Sequence, residues 1–187
     1  MKKIALVGTA LALAMVAGTA SAANSMNAGT LGLNVSVVPS TITIGTLLSL
    51  PSPLINGKYF VAKDMAILGG FGFNTGGPSG NTTTSFAFEV GARKYMSVND
   101  FAPFIGGGLL YGSSASTPAA SVANPAPTSA TTTLLQLQAQ AGAEYFVGKQ
   151  FSFEGTAGFG FQQVSSGGTS ANFIGTSTLG LSANVYF

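Results

Sequence analysis

Apolar and polar side chains alternate with a period of two along most of this chain, and that pattern predicts β-strands. In the last stretch one face carries Leu179, Leu181, Ala183, Val185 and Phe187, and the other carries Gly180, Ser182, Asn184 and Tyr186. The same alternation runs through 134–147 and 151–162. Because successive side chains of a strand point to opposite faces, each strand would present one apolar face and one polar face.

A weak internal repeat predicts how the strands are connected. An aromatic strand end, a short polar turn and a new apolar strand recur from Tyr59, Tyr95 and Tyr145. We place strands at roughly 29–38, 54–62, 65–75, 82–96, 101–112, 131–147, 151–162 and 173–187. Longer segments rich in Gly, Ser, Thr and Pro separate the units at about 39–53, 76–81, 113–130 and 164–172. We therefore expect an all-β fold, an eight-stranded antiparallel up-and-down barrel with both chain ends on the side of the tight turns.

The composition favours a barrel whose outer face is apolar. Charged residues make up 6% of the chain, against about 25% in an ordinary soluble domain. A soluble barrel would carry Lys, Glu and Asp on its polar faces, whereas these faces carry mainly Gly, Ser, Thr, Gln and Asn. No apolar run beyond the N-terminal segment reaches the length of a membrane-spanning helix. The pattern predicts a transmembrane β-barrel, apolar outside and polar inside.

Residues 1–22 read as a cleaved signal peptide, which leaves 23–187 as the barrel domain. Lys2 and Lys3 precede a short apolar stretch, and Ala20-Ser21-Ala22 fits a cleavage site. The remaining charges balance: Lys58, Lys63, Arg93, Lys94 and Lys149 against Asp64, Glu89, Asp100, Glu144 and Glu154. With no basic patch, nucleic acid is not an expected partner.

Alternation points a set of polar side chains into the barrel: Lys58, Glu89, Arg93, Glu144, Glu154, Gln136, Gln138 and Gln140. Buried charges must be paired, so we expect a salt-bridge network. An interior of eight strands is just wide enough for side chains to fill, which argues against an open channel. Paired carboxylates could in principle support acid–base chemistry. We favour the interpretation that these side chains fill and stiffen the barrel.

The tyrosines cluster near one end of the strands. Tyr59, Tyr95, Tyr145 and Tyr186 all fall at the side of the tight turns. Amphipathic rings favour the level of the lipid headgroups, so we expect these four residues to form an aromatic girdle.

The signal peptide, the aromatic-turn-strand units and the terminal LGLSANVYF resemble the small outer-membrane β-barrel family, of the OmpX and OmpA transmembrane-domain type. In that family a C-terminal Phe preceded by alternating hydrophobic residues is read by the barrel-assembly machinery. The resemblance implies that role for Phe187, Val185, Ala183 and Leu181. It also implies a bacterial outer-membrane location with both termini in the periplasm, and outer-membrane lipid as a partner.

The family includes structural barrels, adhesins, small pores and a few lipid enzymes, and the enzymes rely on a catalytic His. This chain has no His and no Cys, so neither catalysis nor a cofactor or metal site is expected. The leading hypothesis is a structural or surface-interaction protein. Passive transport of small hydrophobic solutes, helped by the apolar residues 41–50, is an alternative. A soluble periplasmic ligand-binding barrel is a second alternative.

Overall fold

The computed structural model describes residues 26–36, 55–77, 80–120 and 128–187. These residues form a closed barrel of eight antiparallel strands in up-and-down order, which confirms the expected fold class. The strands are β1 (Leu31–Ser36), β2 (Ile55–Ala62), β3 (Met65–Gly76), β4 (Thr82–Tyr95), β5 (Phe101–Thr117), β6 (Ala130–Gly148), β7 (Phe151–Ser166) and β8 (Thr169–Tyr186). None of the described residues forms a helix long and apolar enough to cross a membrane.

Three short connections lie at one end of the barrel, which we call the turn end. Two residues join β2 to β3 and β6 to β7, and residues 96–100 join β4 to β5. The same end holds the start of β1 and the end of β8, where Leu31 and Phe187 exchange backbone hydrogen bonds of 3.3 and 2.9 Å. The tight turns therefore share one end, as the internal repeat predicts.

The opposite end, the loop end, differs from the sequence prediction. The loop expected at 164–172 is wrong, because β7 continues to Ser166 and β8 begins at Thr169. Gly167 and Gly168 join them with φ values of 57° and 83°, the positive φ at both positions that a two-residue type I′ hairpin needs. The loop expected at 113–130 is shorter, since β5 reaches Thr117 and β6 starts at Ala130. Residues 77–81 separate β3 from β4, and the loop expected at 39–53 lies outside the described residues.

The two faces of the wall have opposite polarity. Large apolar side chains lie exposed on the outer face of every strand, and the inner face carries most of the polar and charged groups. Towards the loop end the outer face changes to Ser, Thr, Asn and Gln. This change occurs between Phe73 and Thr75, Phe86 and Thr84, Tyr111 and Ser113, Leu135 and Thr133, Phe161 and Gln163, and Ile174 and Asn172. The exterior is therefore an apolar band with a polar rim.

A glycine in β6 lets an aromatic ring pack against the inner wall. A Cβ at Gly142 would overlap the carbonyl oxygen of Gly155 and lie 2.6 Å from Cζ of Phe104. The Phe104 side chain is almost fully buried at this point. Gly142 is therefore required by packing.

We expect Gly142→Ala to lower the free energy of unfolding by about 1–3 kcal/mol, the usual cost of overpacking. The reason is that the Gly155 carbonyl is backbone and cannot swing aside. Urea unfolding of the folded barrel measures the change. Gly69→Ala is the control, because a Cβ at Gly69 meets nothing within 4 Å. Equal unfolding midpoints for the two variants would contradict the prediction.

Candidate functional site in the barrel lumen

An aromatic plug fills the lumen at the turn end. It consists of Met26, Phe60, Ala66, Tyr95, Ala102, Phe104, Phe146 and Tyr186. The ring centroids lie 5.5 Å apart for Phe60 and Tyr95, 5.6 Å for Tyr95 and Phe104, and 5.5 Å for Phe146 and Tyr186. These are distances at which tilted and edge-on ring pairs attract. Inward rings from five strands therefore occupy this end of the barrel.

Directly above the plug, the carboxylate of Glu144 is fully buried. It accepts hydrogen bonds from Lys58 (2.8 Å), Tyr95 (2.8 Å), Asn184 (3.0 Å), Ser152 and Tyr186. These donors replace the hydration that a carboxylate loses on burial. The Glu144 carboxylate is therefore the charged group of the lumen that contacts the polar edge of the plug.

Three further charges extend this centre into a network. Lys58 Nζ lies 2.8 Å from Glu144 and 2.9 Å from Glu154. Arg93 Nη1 lies 2.7 Å from Glu154, and its guanidinium lies 4.2 Å from the ring centre of Phe104. Four of the residues that alternation points inward therefore meet, although they come from β2, β4, β6 and β7.

A chain of glutamines continues towards the loop end. Gln162 Nε2 donates to Gln136 (2.9 Å), Gln136 Nε2 to Gln138 (2.9 Å) and Gln138 Nε2 to Glu89 (3.0 Å). Every amide donates in the direction of Glu89, so the amide dipoles add. Gln140 takes a separate place, accepting from Arg93 at 3.4 Å.

Between the charged residues and the glutamines lies a chamber of about 80 Å³, lined in part by Asn56, Lys58, Glu89, Arg93 and Glu154. On the loop side, β4 to β8 contribute an apolar collar of Ala87, Leu110, Leu134, Val164 and Phe173. The chamber is therefore a polar space set between two apolar layers.

The aromatic girdle is wrong for two of its four tyrosines. Tyr59 and Tyr145 lie exposed on the outer face, whereas Tyr95 and Tyr186 are 2% and 1% exposed inside the plug. The physical reason is strand alternation: Tyr95 follows inward Arg93 by two residues, and Tyr186 follows inward Asn184 by two. The prediction grouped the four rings by their position along the barrel axis. It did not consider whether each ring lies on the inner or the outer face of the wall.

The terminal residues of β8 lie mostly on the outer face. Leu181 and Phe187 are exposed and Val185 is half-buried, but Ala183 is 3% exposed. Ala183 is covered because its register partners on either side are the larger Val35 and Phe153. Recognition of these residues by assembly machinery stays a prediction.

An ion pair between Asp64 and Lys94 lies outside the lumen, at the turn end. The hydrogen bond that Lys94 donates holds the pKa of Asp64 below its ordinary value. This contribution is present at neutral pH and is lost as the pH falls through the lowered pKa of Asp64. Because both side chains are exposed, the pair adds little to stability.

Comparison with protein-family models and with curated proteins found no match for this chain. Membership of the small outer-membrane barrel family therefore stays a proposal.

Chemically, the network is suited to ion pairing. Glu144 and Glu154 are both buried and already accept several hydrogen bonds, so neither carboxylate is presented to a substrate. Among the described residues, no three His, Cys, Asp or Glu side chains are grouped so as to hold a metal ion. The sequence pattern did not assign Ser152, Gln162 and Asn184 to the network, and it placed Tyr95 and Tyr186, which donate to Glu144, in the girdle. Alternation indicates which face a side chain is on, but it does not say which polar groups meet.

Proposed function

We propose that this protein is an integral barrel of a bacterial outer membrane, with a structural or surface-interaction role and no catalysis. The inverted polarity of the wall carries the proposal. Leu137, Phe159 and Ile174 are 58%, 59% and 69% exposed on the outer face, while Lys58, Glu144 and Glu154 are buried inside. Exposing this much apolar surface to water is unfavourable, and lipid removes that cost. A soluble ligand-binding barrel would have the opposite arrangement.

The height of the apolar band fits a bilayer. On β5 the band runs from Phe101 to Tyr111, and on β7 from Phe151 to Phe161. A tilted strand crosses the hydrocarbon core with about 9–11 residues. Lys94, Tyr59 and Tyr145 lie near the turn-end edge of the band, where long or amphipathic side chains suit the interface.

Export and assembly complete the proposal. Residues 1–22 would direct export, and both chain ends would then lie in the periplasm with the turn end. The alternating outer face of β8 would engage the barrel-assembly machinery, and outer-membrane lipid would surround the band. The alternative of passive transport of hydrophobic solutes rests on residues 41–50, which lie outside the described residues.

Membrane fractionation tests the location. We expect the protein in the outer-membrane fraction after a carbonate wash, which strips peripheral proteins, and we expect a folded form that migrates differently from the boiled form on a gel. A soluble periplasmic protein expressed in the same cells is the control. Recovery of the chain in the soluble periplasm would overturn the proposal.

Electrical recording tests the structural role. Because the plug fills the turn end and charged side chains are paired above it, we expect no large, stable conductance steps in a planar bilayer. A general porin inserted in the same membrane is the positive control. Regular large steps from this protein would show that the plug opens and would exclude a purely structural barrel.

A further inference from the structure

The charges inside the lumen do not balance. Two cations, Lys58 and Arg93, face three carboxylates, Glu89, Glu144 and Glu154. Apart from Lys2 and Lys3, every charged residue of the chain belongs to the described part. The other five, Lys63, Asp64, Lys94, Asp100 and Lys149, lie at the turn end and are not buried. The lumen therefore carries one negative charge in excess.

The excess charge is located at Glu89. All ion-pair contacts of Lys58 and Arg93 within the described residues go to Glu144 and Glu154. Glu89 accepts one hydrogen bond, from the neutral amide of Gln138. Glu89 is partly buried, and a charge shielded from water without a contacting counter-ion is unfavourable, so a positive group is expected close to this carboxylate.

A second oxygen without a donor lies beside Glu89. In the strand register Asn56 pairs with Gly70, and Gly70 pairs with Glu89. A Cβ at Gly70 would overlap Oδ1 of Asn56 and lie 3.6 Å from Cβ of Glu89, so the amide oxygen lies over the glycine, near the base of the Glu89 side chain. Asn56 Oδ1 is buried, and no donor of the described residues reaches it. Two side chains with acceptor oxygens therefore lie on either side of Gly70.

Both side chains line the chamber of about 80 Å³, which is larger than the space of roughly 10–15 Å³ that one water needs. Carboxylate, amide and water oxygens are the ligands that hard cations take. We propose that the chamber binds one monovalent cation, such as Na⁺ or K⁺, between Glu89 and Asn56 Oδ1. One such ion neutralises the lumen. A divalent ion would reverse the imbalance and lacks the grouped acidic ligands it would need. The site depends on the lumen alone and stands whether or not the membrane proposal holds.

Thermal unfolding of the folded barrel in detergent micelles tests the site. At constant pH and ionic strength, we expect the midpoint to be higher in NaCl or KCl than in N-methylglucamine chloride, whose cation is too large for the chamber. Glu89→Gln should abolish this difference, and Asp64→Asn, which removes an exposed carboxylate, should retain it. A difference that is absent in the unsubstituted protein, or that survives in Glu89→Gln, would overturn the proposal.

Anomalous scattering from crystals soaked in Rb⁺ locates the ion directly and does not depend on the stability of a variant. We expect a peak between Glu89 and Asn56, weakened at least several-fold in Asn56→Ala. Absence of a peak there would contradict the site.

Protonation is the competing way to neutralise Glu89, and carboxyl ¹³C NMR tests it. We expect Glu89 to be ionised at neutral pH in NaCl. A protonated Glu89 under these conditions would show that a proton takes the place of the metal ion and would overturn the proposal.

Discussion

Lys58→Met is expected to lower the free energy of unfolding of the barrel by about 3–5 kcal/mol, the cost of removing one partner of a buried ion pair. Lys58 is 2% exposed and contacts both Glu144 and Glu154. Methionine keeps most of the volume but leaves the buried carboxylates of Glu144 and Glu154 with Arg93 as the remaining cation of the described network. The loss comes from the carboxylates left unpaired, since a well-packed apolar replacement of a whole pair is often neutral.

Urea unfolding in lipid vesicles, monitored by tyrosine fluorescence and gel mobility, measures the change. Lys94→Met is the matched control, because it removes the same charge from an exposed pair and should leave the midpoint almost unchanged. In the double variant with Glu144→Gln, the total loss should be smaller than the sum of the single losses, because the second change removes a carboxylate that the first left unpaired. A loss no larger than that of Lys94→Met would show that the network does not stabilise the fold.

Ala141→Arg is expected to destabilise the inserted barrel by about 2–4 kcal/mol, the cost of an arginine on the lipid face at the centre of the bilayer. Ala141 is exposed on the outer face of β6. Its register partners are Ile105 and Ala157, near the middle of the apolar band. The guanidinium would have to reach either interface along an apolar surface, which is the physical origin of the penalty.

Thr133→Arg is the matched control for this second change. Thr133 lies on the same strand, and its register partners Ser113 and Ser165 belong to the polar rim. Near the interface the same substitution costs about 0–1 kcal/mol. The two variants are compared by urea unfolding in vesicles and by the fraction that inserts. Equal effects at both positions would mean that no hydrocarbon surrounds Ala141, and the membrane proposal would fail.

Strand order and strand faces could be predicted from the sequence because both are local properties. Alternating residues identify a face within one strand, and the units starting at Tyr59, Tyr95 and Tyr145 mark where the chain turns. Prediction failed at 164–172 for an equally local reason. Beyond Phe161 and Ile174 the outer face is polar, whereas the inner face mixes polar Gln162 with apolar Val164 and Phe173. The period of two is therefore lost from the hydropathy although the strand pairing continues to Gly167-Gly168.

A β-bulge in β8 also lay beyond prediction. Gly158 pairs with Thr178, and Phe159 pairs with Thr176, which leaves Ser177 as the extra residue. The bulge reverses the alternation, so Phe173 points into the collar and Ile174 lies exposed. Counting in twos from Phe187 would place Phe173 outside. A bulge follows from how two strands pair, and one strand by itself does not reveal it.

The polarity of each face, and with it an apolar exterior around a polar interior, was determined by the sequence alone, since an extended strand points successive side chains to opposite faces and the residue order is fixed by the chain. Only the tertiary structure decided which inward groups meet. Lys58 and Glu154 are 96 residues apart and lie 2.9 Å from each other, because barrel closure and strand stagger bring β2 and β7 to one height. The same closure places Glu89 near Asn56, and no ion-pair contact among the described residues reaches this carboxylate.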